Sequence, residues 1–192
     1  MNDFGFYVIT GWRHIISWNA LDHLLFIIAL AAIYLKENWK QVLVLVTAFT
    51  IGHSLTLALS VYDMIRIDEK WVEFLIPCTI IATAALNFLT KNFKPKSLRI
   101  NYFLAIFFGL IHGMGFANTI RFMLAKDQNI AIPLLSFNIG LEAGQIAVIT
   151  FILLVSYILV NKARVKRIWW VWALSIISIF IALNMVVDRW PL

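Results

Sequence analysis

At 192 residues the chain suits a single domain, 1–192, but 62% of it is hydrophobic and only 14% charged. Ordinary soluble chains hold roughly 45–50% and about 25%, so a soluble globular domain is excluded. The net charge of +6 would suit a nucleic-acid surface in a soluble chain; in a membrane chain it reports orientation instead.

The first segment, about 4–18, is interrupted by Gly5, Gly11 and Arg13 and is too broken to span. It is placed at the membrane interface or folded back on the bundle. With no basic n-region, an early Asp3 and no small-residue cleavage site, it does not read as a signal peptide. Apolar runs then predict spanning helices at 20–37, 40–62, 71–91, 100–123, 130–161 and 167–187, lengths that match a hydrocarbon core of roughly 30 Å. The fold class is therefore all-α: a polytopic transmembrane helix bundle of about six spanning helices plus a short N-terminal interfacial helix. Pro133 falls near the start of the fifth run, where it opens or kinks the helix.

Ten of the 16 Lys and Arg residues fall in the 1–2, 3–4 and 5–6 connections, among them Lys36, Lys40, Lys91, Lys94, Lys96, Arg99, Lys162 and Lys166. The positive-inside rule then puts those loops in the cytoplasm and both termini outside. The expected location is a bacterial inner membrane, multi-pass, with the lipid bilayer as partner and no nucleic acid. Trp39, Trp169, Trp170 and Trp172 fall near one boundary and Trp71 and Trp190 near the other. Two small-xxx-small pairs, Gly109/Gly113 and Gly140/Gly144, let helix backbones approach closely. The lone Cys78 lies in an apolar run and says nothing of redox compartment.

An ionisable group at the bilayer centre costs roughly 2.5–3.5 kcal/mol on insertion scales, so each one asks for a reason. The chain places Asp22 and His23 at the start of the first span, His53 in the second, Glu73 opening the third, His112 in the fourth and Glu142 in the fifth. Asn138 and Gln145 share a helix face with Glu142. Counting residues from the span ends puts His23 within about a turn of the outer boundary, His53 about 14 Å deep, and His112 and Glu142 about 16–18 Å deep. His14 lies on the same side. Singly, a membrane histidine reads as an interhelical hydrogen-bond partner and a Glu near a span end as a cap. Jointly, all four histidines of the chain with nearby carboxylates point to one outward-opening metal site. Imidazole with carboxylate suits Ni, Co, Zn or Fe in the divalent state, and nothing builds the Cys/Met cage that Cu(I) prefers.

The runs HIISWNALDHLLFIIAL (from His14), TAFTIGHSLTLALS (from Thr47), FGLIHGMGFA (from Phe108) and FNIGLEAGQ (from Phe137) together resemble the HupE/UreJ family, in the same order. These are small bacterial membrane proteins associated with nickel, and sometimes cobalt, uptake. The family's first motif is a histidine followed by Asp-His, matched here by His14, Asp22 and His23 with a longer gap than usual. The resemblance implies a transporter of a divalent transition metal ion (Ni, Co or Zn as the candidate ions), and with the polar residues above it makes His14, Asp22, His23, His53, His112 and Glu142 the expected metal site. Asp22 would attract the cation, His14 and His23 receive it, His53 and His112 hold it deeper, and Glu142 supply compensating charge. The alternative is an intramembrane zinc-dependent hydrolase on the same cluster, with Glu142 or Asp22 as base and Ser54 orienting substrate. No H-E-x-x-H or G-x-S-x-G context supports it, and no catalytic residue is assigned. A third reading leaves the histidines as helix-to-helix glue in an accessory subunit. Oligomeric state is left open.

Overall fold

Residues 3–90, 99–123 and 130–191 are described by a computed structural model. Among them every regular element is helical: α1 (Asp3–Ile16), α2 (Leu21–Ala31), α3 (Trp39–Val61), α4 (Glu69–Leu89), α5 (Arg99–Gly115), α6 (Ala117–Met123), α7 (Ala131–Ser156) and α8 (Arg167–Asp188). A single turn of 3-10 helix precedes α2 and another precedes α3, and a π-helical turn, Tyr157–Lys162, extends α7. Asp68 starts α4 by accepting from the Lys70 backbone N–H at 3.0 Å, an N-cap that satisfies one of the helix's orphan donors.

Glycines set the two closest helix pairs. A Cβ on Gly109 would strike the Phe49 carbonyl, and one on Gly113 the His53 carbonyl and the Thr56 hydroxyl, so α3 and α5 lie side by side and parallel. A Cβ on Gly140 would strike the Val8 carbonyl and one on Gly11 the Phe137 carbonyl, so α1 lies parallel to α7. Of the two placements the sequence left open for the first segment, the structure takes the one inside the bundle. α1 buries Tyr7 and Ile15 against its neighbours. The small pairs act as the spacing suggested, because without side chains between them the backbones meet.

The third packing layer joins α2, α4 and α8. Buried Asn87 of α4 donates to the Ala29 carbonyl of α2 at 2.8 Å and to Ser175 Oγ of α8 at 3.0 Å, so one amide staples three helices. At the same end of the bundle Lys36 lies 3.9 Å over the Tyr157 ring and Arg167 donates to the Ile33 carbonyl. Lys91, Lys94, Lys96 and Lys126 lie outside the described residues. The outer faces of the bundle carry Val44, Ile51, Phe103, Phe107, Phe151 and Phe180, all exposed, as lipid-facing helices require.

Among the described residues four helical stretches are long and apolar enough to cross a membrane: Lys36–Val61, Glu69–Leu89, Ala131–Lys162 and Arg167–Asp188. The pair α1 and α2, bent by 66° at its break, makes a fifth if counted as one span. The expected count of about six is not reached on length and composition, for two local reasons. The helix expected over 20–37 ends at Ala31 after 11 residues, and the one expected over 100–123 breaks after Gly115. The break in the first pair is what positions the site: Ser17 is extended (φ −74°, ψ 150°), and Trp18–Ala20 form one tight turn before α2 begins.

Candidate metal centre

That break turns the last turn of α1 and the first turn of α2 towards each other. His14 from α1 and His23 from α2 meet with ring centroids 4.5 Å apart, although nine positions separate them. His53, midway along α3, lies 6.0 Å from His14 and 6.1 Å from His23. His112, in the last turn of α5, lies 5.0 Å from His23. The close α3–α5 pairing across Gly109 and Gly113 brings His53 and His112 to the same depth. All four histidines are therefore at one place, and His53 and His112 are 0% and 1% exposed.

The nitrogen accounting tests whether a cation fits there. His23 Nδ1 donates to Asp22 Oδ1 at 2.9 Å, which leaves Nε2 as a lone pair. His112 Nδ1 donates to the Phe108 carbonyl at 2.7 Å, with the same result. Nε2 of His14, His23, His53 and His112 and Nδ1 of His53 are all buried with no hydrogen-bond partner. Each unpartnered buried polar atom costs about 1–3 kcal/mol, so this many at one point is expensive unless something binds them. One nitrogen from each of His14, His23 and His53 already lies within 4.8 Å of the other two. Ligands at about 2.0–2.1 Å around one ion sit at most about 4.2 Å apart, so small ring rotations complete the set. A carboxylate or carbonyl behind a ligating imidazole is the usual way proteins fix its tautomer.

Above the cluster lies a cavity of about 370 Å³, at the end of the bundle where α4 begins and α8 ends. His14, Asp22, His23 and His112 form its base, Phe116 its side, and Arg13, Glu73 and Arg189 its charged walls. Asp22 also accepts from Arg189 Nη1 through its second oxygen, at 3.3 Å. Beneath the cluster lies an aromatic floor of Phe26, Phe49 and Phe108, all buried. Each sits one helical turn from a histidine of its own helix, on the side away from the cavity. Phe49 is 5.2 Å from the His112 ring and 5.0 Å from Phe26, so the floor is closed.

Two expectations about position need correcting. His23 does not lie near the boundary of the bundle; α1 precedes it in the same broken helix pair and sets it at the depth of His53. Glu142 is not brought into the cluster: it accepts from Thr47 Oγ1 at 2.8 Å, about one and a half turns of α3 beyond His53 on the side away from the cavity. Beside it, Gln145 accepts from Thr50 at 2.9 Å. At the level of the histidines α7 contributes Phe137 instead, which faces His53 at 6.3 Å. Ser54 donates to the Thr50 carbonyl at 2.6 Å, the back-bonding of a packing serine. Met114 lines a separate cavity and is no ligand candidate.

Sequence reasoning passed over Arg189 and the phenylalanine floor. The floor had a signal in the sequence, a Phe three or four residues from each of His23, His53 and His112; Arg189 had none. Pro77 was also passed over: it offers no N–H to the carbonyl of Glu73 one turn earlier, at the cavity wall.

The family profile described as HupE / UreJ protein matches residues 1–189. No curated protein and no solved structure matches the chain.

Proposed function

The chain belongs to the HupE/UreJ family, and from that premise we propose that it carries a divalent transition metal ion, Ni(II) or Co(II), across the membrane through the four-histidine cluster. One observation supports the reading above the rest: the unpartnered imidazole nitrogens of His14, His23, His53 and His112 converge at the bottom of an open cavity. The cation enters from the outer face, where both termini lie, and sheds water against Asp22. His14, His23 and His112 receive it at the base of the cavity, and His53, which does not line the cavity, completes the set behind them. The closed floor of Phe26, Phe49 and Phe108 makes this the outward-facing arrangement. For passage that floor must part, and the nearest carboxylate beyond it is Glu142 on the α3–α7 seam. We place the protein in the inner membrane with the Lys36 and Lys162 end in the cytoplasm.

The test is uptake of Ni(II) and Co(II) into proteoliposomes beside metal content of the purified protein. Wild type should take up either ion and hold it exchangeably, and His53→Ala and His112→Ala should lose both properties. Stoichiometric zinc that resists exchange, without uptake, would instead favour the hydrolase reading. A folded protein that binds no metal would remove both.

A further inference from the structure

Asp22 is the carboxylate beside the histidines, and it is already taken. Its Oδ1 accepts from the His23 backbone N–H at 2.8 Å and from His23 Nδ1 at 2.9 Å. Its Oδ2 faces the cavity and holds one nitrogen of the Arg189 guanidinium at 3.3 Å. Charge-assisted N–H···O bonds usually run about 2.7–2.9 Å and Arg–carboxylate pairs are often two-pronged, so this single contact is loose. The Arg189 backbone, by contrast, is held. Its N–H donates to the Met185 carbonyl at 3.0 Å, and the next residue, Trp190, packs edge-on against Phe74 with centroids 5.2 Å apart. A fixed base with a side chain 28% exposed into a cavity describes an arm free to swing.

We propose that Arg189 is a tethered competitor of the permeant ion: its guanidinium occupies Asp22 in the metal-free protein and leaves when a divalent cation arrives. This rests on the transport reading above. The charges explain the selectivity it gives. Arg13, Arg189, Asp22 and Glu73 give the cavity lining two charges of each sign. A monovalent cation that displaces the guanidinium replaces one unit of charge at Asp22 with another and gains nothing. A divalent cation doubles the charge at Asp22, and the attraction scales with it. Glu73, on the same cavity wall, gives the displaced guanidinium a second carboxylate to face. Arg189 is thus a positioning residue that sets affinity and rejects Na⁺ and K⁺, and it touches the metal at no stage.

The experiment is titration of the purified full chain with Co(II), read by its visible spectrum, for wild type, Arg189→Gln and Arg13→Gln. Arg13 lines the same cavity and carries the same charge, so it controls for bulk electrostatics. Arg189→Gln should bind Co(II) about tenfold more tightly than wild type, with a clearly smaller gain for Arg13→Gln. Na⁺ should now compete in Arg189→Gln at concentrations that leave wild type untouched. Millimolar methylguanidinium should return Arg189→Gln towards the wild-type affinity and leave Arg13→Gln unchanged. If Arg189→Gln fails to fold, Arg189→Lys is read instead: its compact, strongly hydrated ammonium is a poorer occupant, and binding should tighten by about threefold. Equal gains in the two glutamine variants, or unchanged or weaker binding in a folded Arg189 variant, overturn the proposal while leaving transport standing. A wild type that binds no Co(II) sinks the transport reading itself and this proposal with it.

Discussion

What each histidine can do is decided by its other nitrogen. Asp22 behind His23 and the Phe108 carbonyl behind His112 both hold a proton on Nδ1 and turn a bare Nε2 to the cluster. Losing such a partner typically costs 10–100-fold in metal affinity. Asp22→Asn should therefore weaken Ni(II) binding by about 10–100-fold in a direct titration, even though Asp22 is not itself required as a ligand. A change of less than threefold would show that His23 needs no such anchor. Metal and proton compete for the same lone pairs, so strong enough acid should unload bound Ni(II), and a return to neutral pH should restore binding. Ni(II) affinity that does not change at any pH the fold survives would rule out imidazole ligation. The identities of these residues were legible in the sequence because each histidine is costly in an apolar run. The partner atoms were not. Arg189 reaches Asp22 across 167 positions, a contact no local pattern encodes.

Helices meet here where side chains are absent. Gly140 has no room for a Cβ against the Val8 carbonyl, whereas a Cβ on Gly5 would meet nothing within 4 Å. Gly140→Ala should lower the thermal unfolding midpoint, since fitting a methyl between two backbones costs about 1–3 kcal/mol. Gly5→Ala should leave the midpoint unchanged or raise it, as alanine favours a helix over glycine by about 1 kcal/mol. Equal effects in the two variants would mean that α1 is not docked on α7. Small-residue spacing announced this packing in advance. The break between α1 and α2 falls where the sequence separated a first segment, about 4–18, from a first span starting at 20, but its sharp bend was not announced. It is the break, with its 66° bend, that lets a long His14-to-Asp22 gap still deliver two histidines to one point.

At the scale of the whole molecule, the apolar outer faces and the basic end suggest an orientation that labelling can test. In a Cys78→Ser background, a cysteine at Met64 should react with an impermeant thiol reagent added outside intact cells, and one at Ala163 only after permeabilisation. The reverse pattern would invert the proposed direction of transport. The sequence by itself determined the class of molecule: an all-helical membrane chain of the HupE/UreJ family, its close-packing glycines, and the few costly polar residues that need a purpose. Those follow from composition, local spacing and the energy of burying charge, all of which are properties of short stretches. Depth and convergence were decided only by the tertiary structure. The first span was expected to begin at 20, but α1 already runs along the bundle before it, and the helix expected over 100–123 breaks after Gly115. His23 consequently moved inward to join His14, His53 and His112, while Glu142 fell below the floor to Thr47. Which faces meet, and at what height, depends on helix pairs far apart in the chain, and no single stretch contains that information.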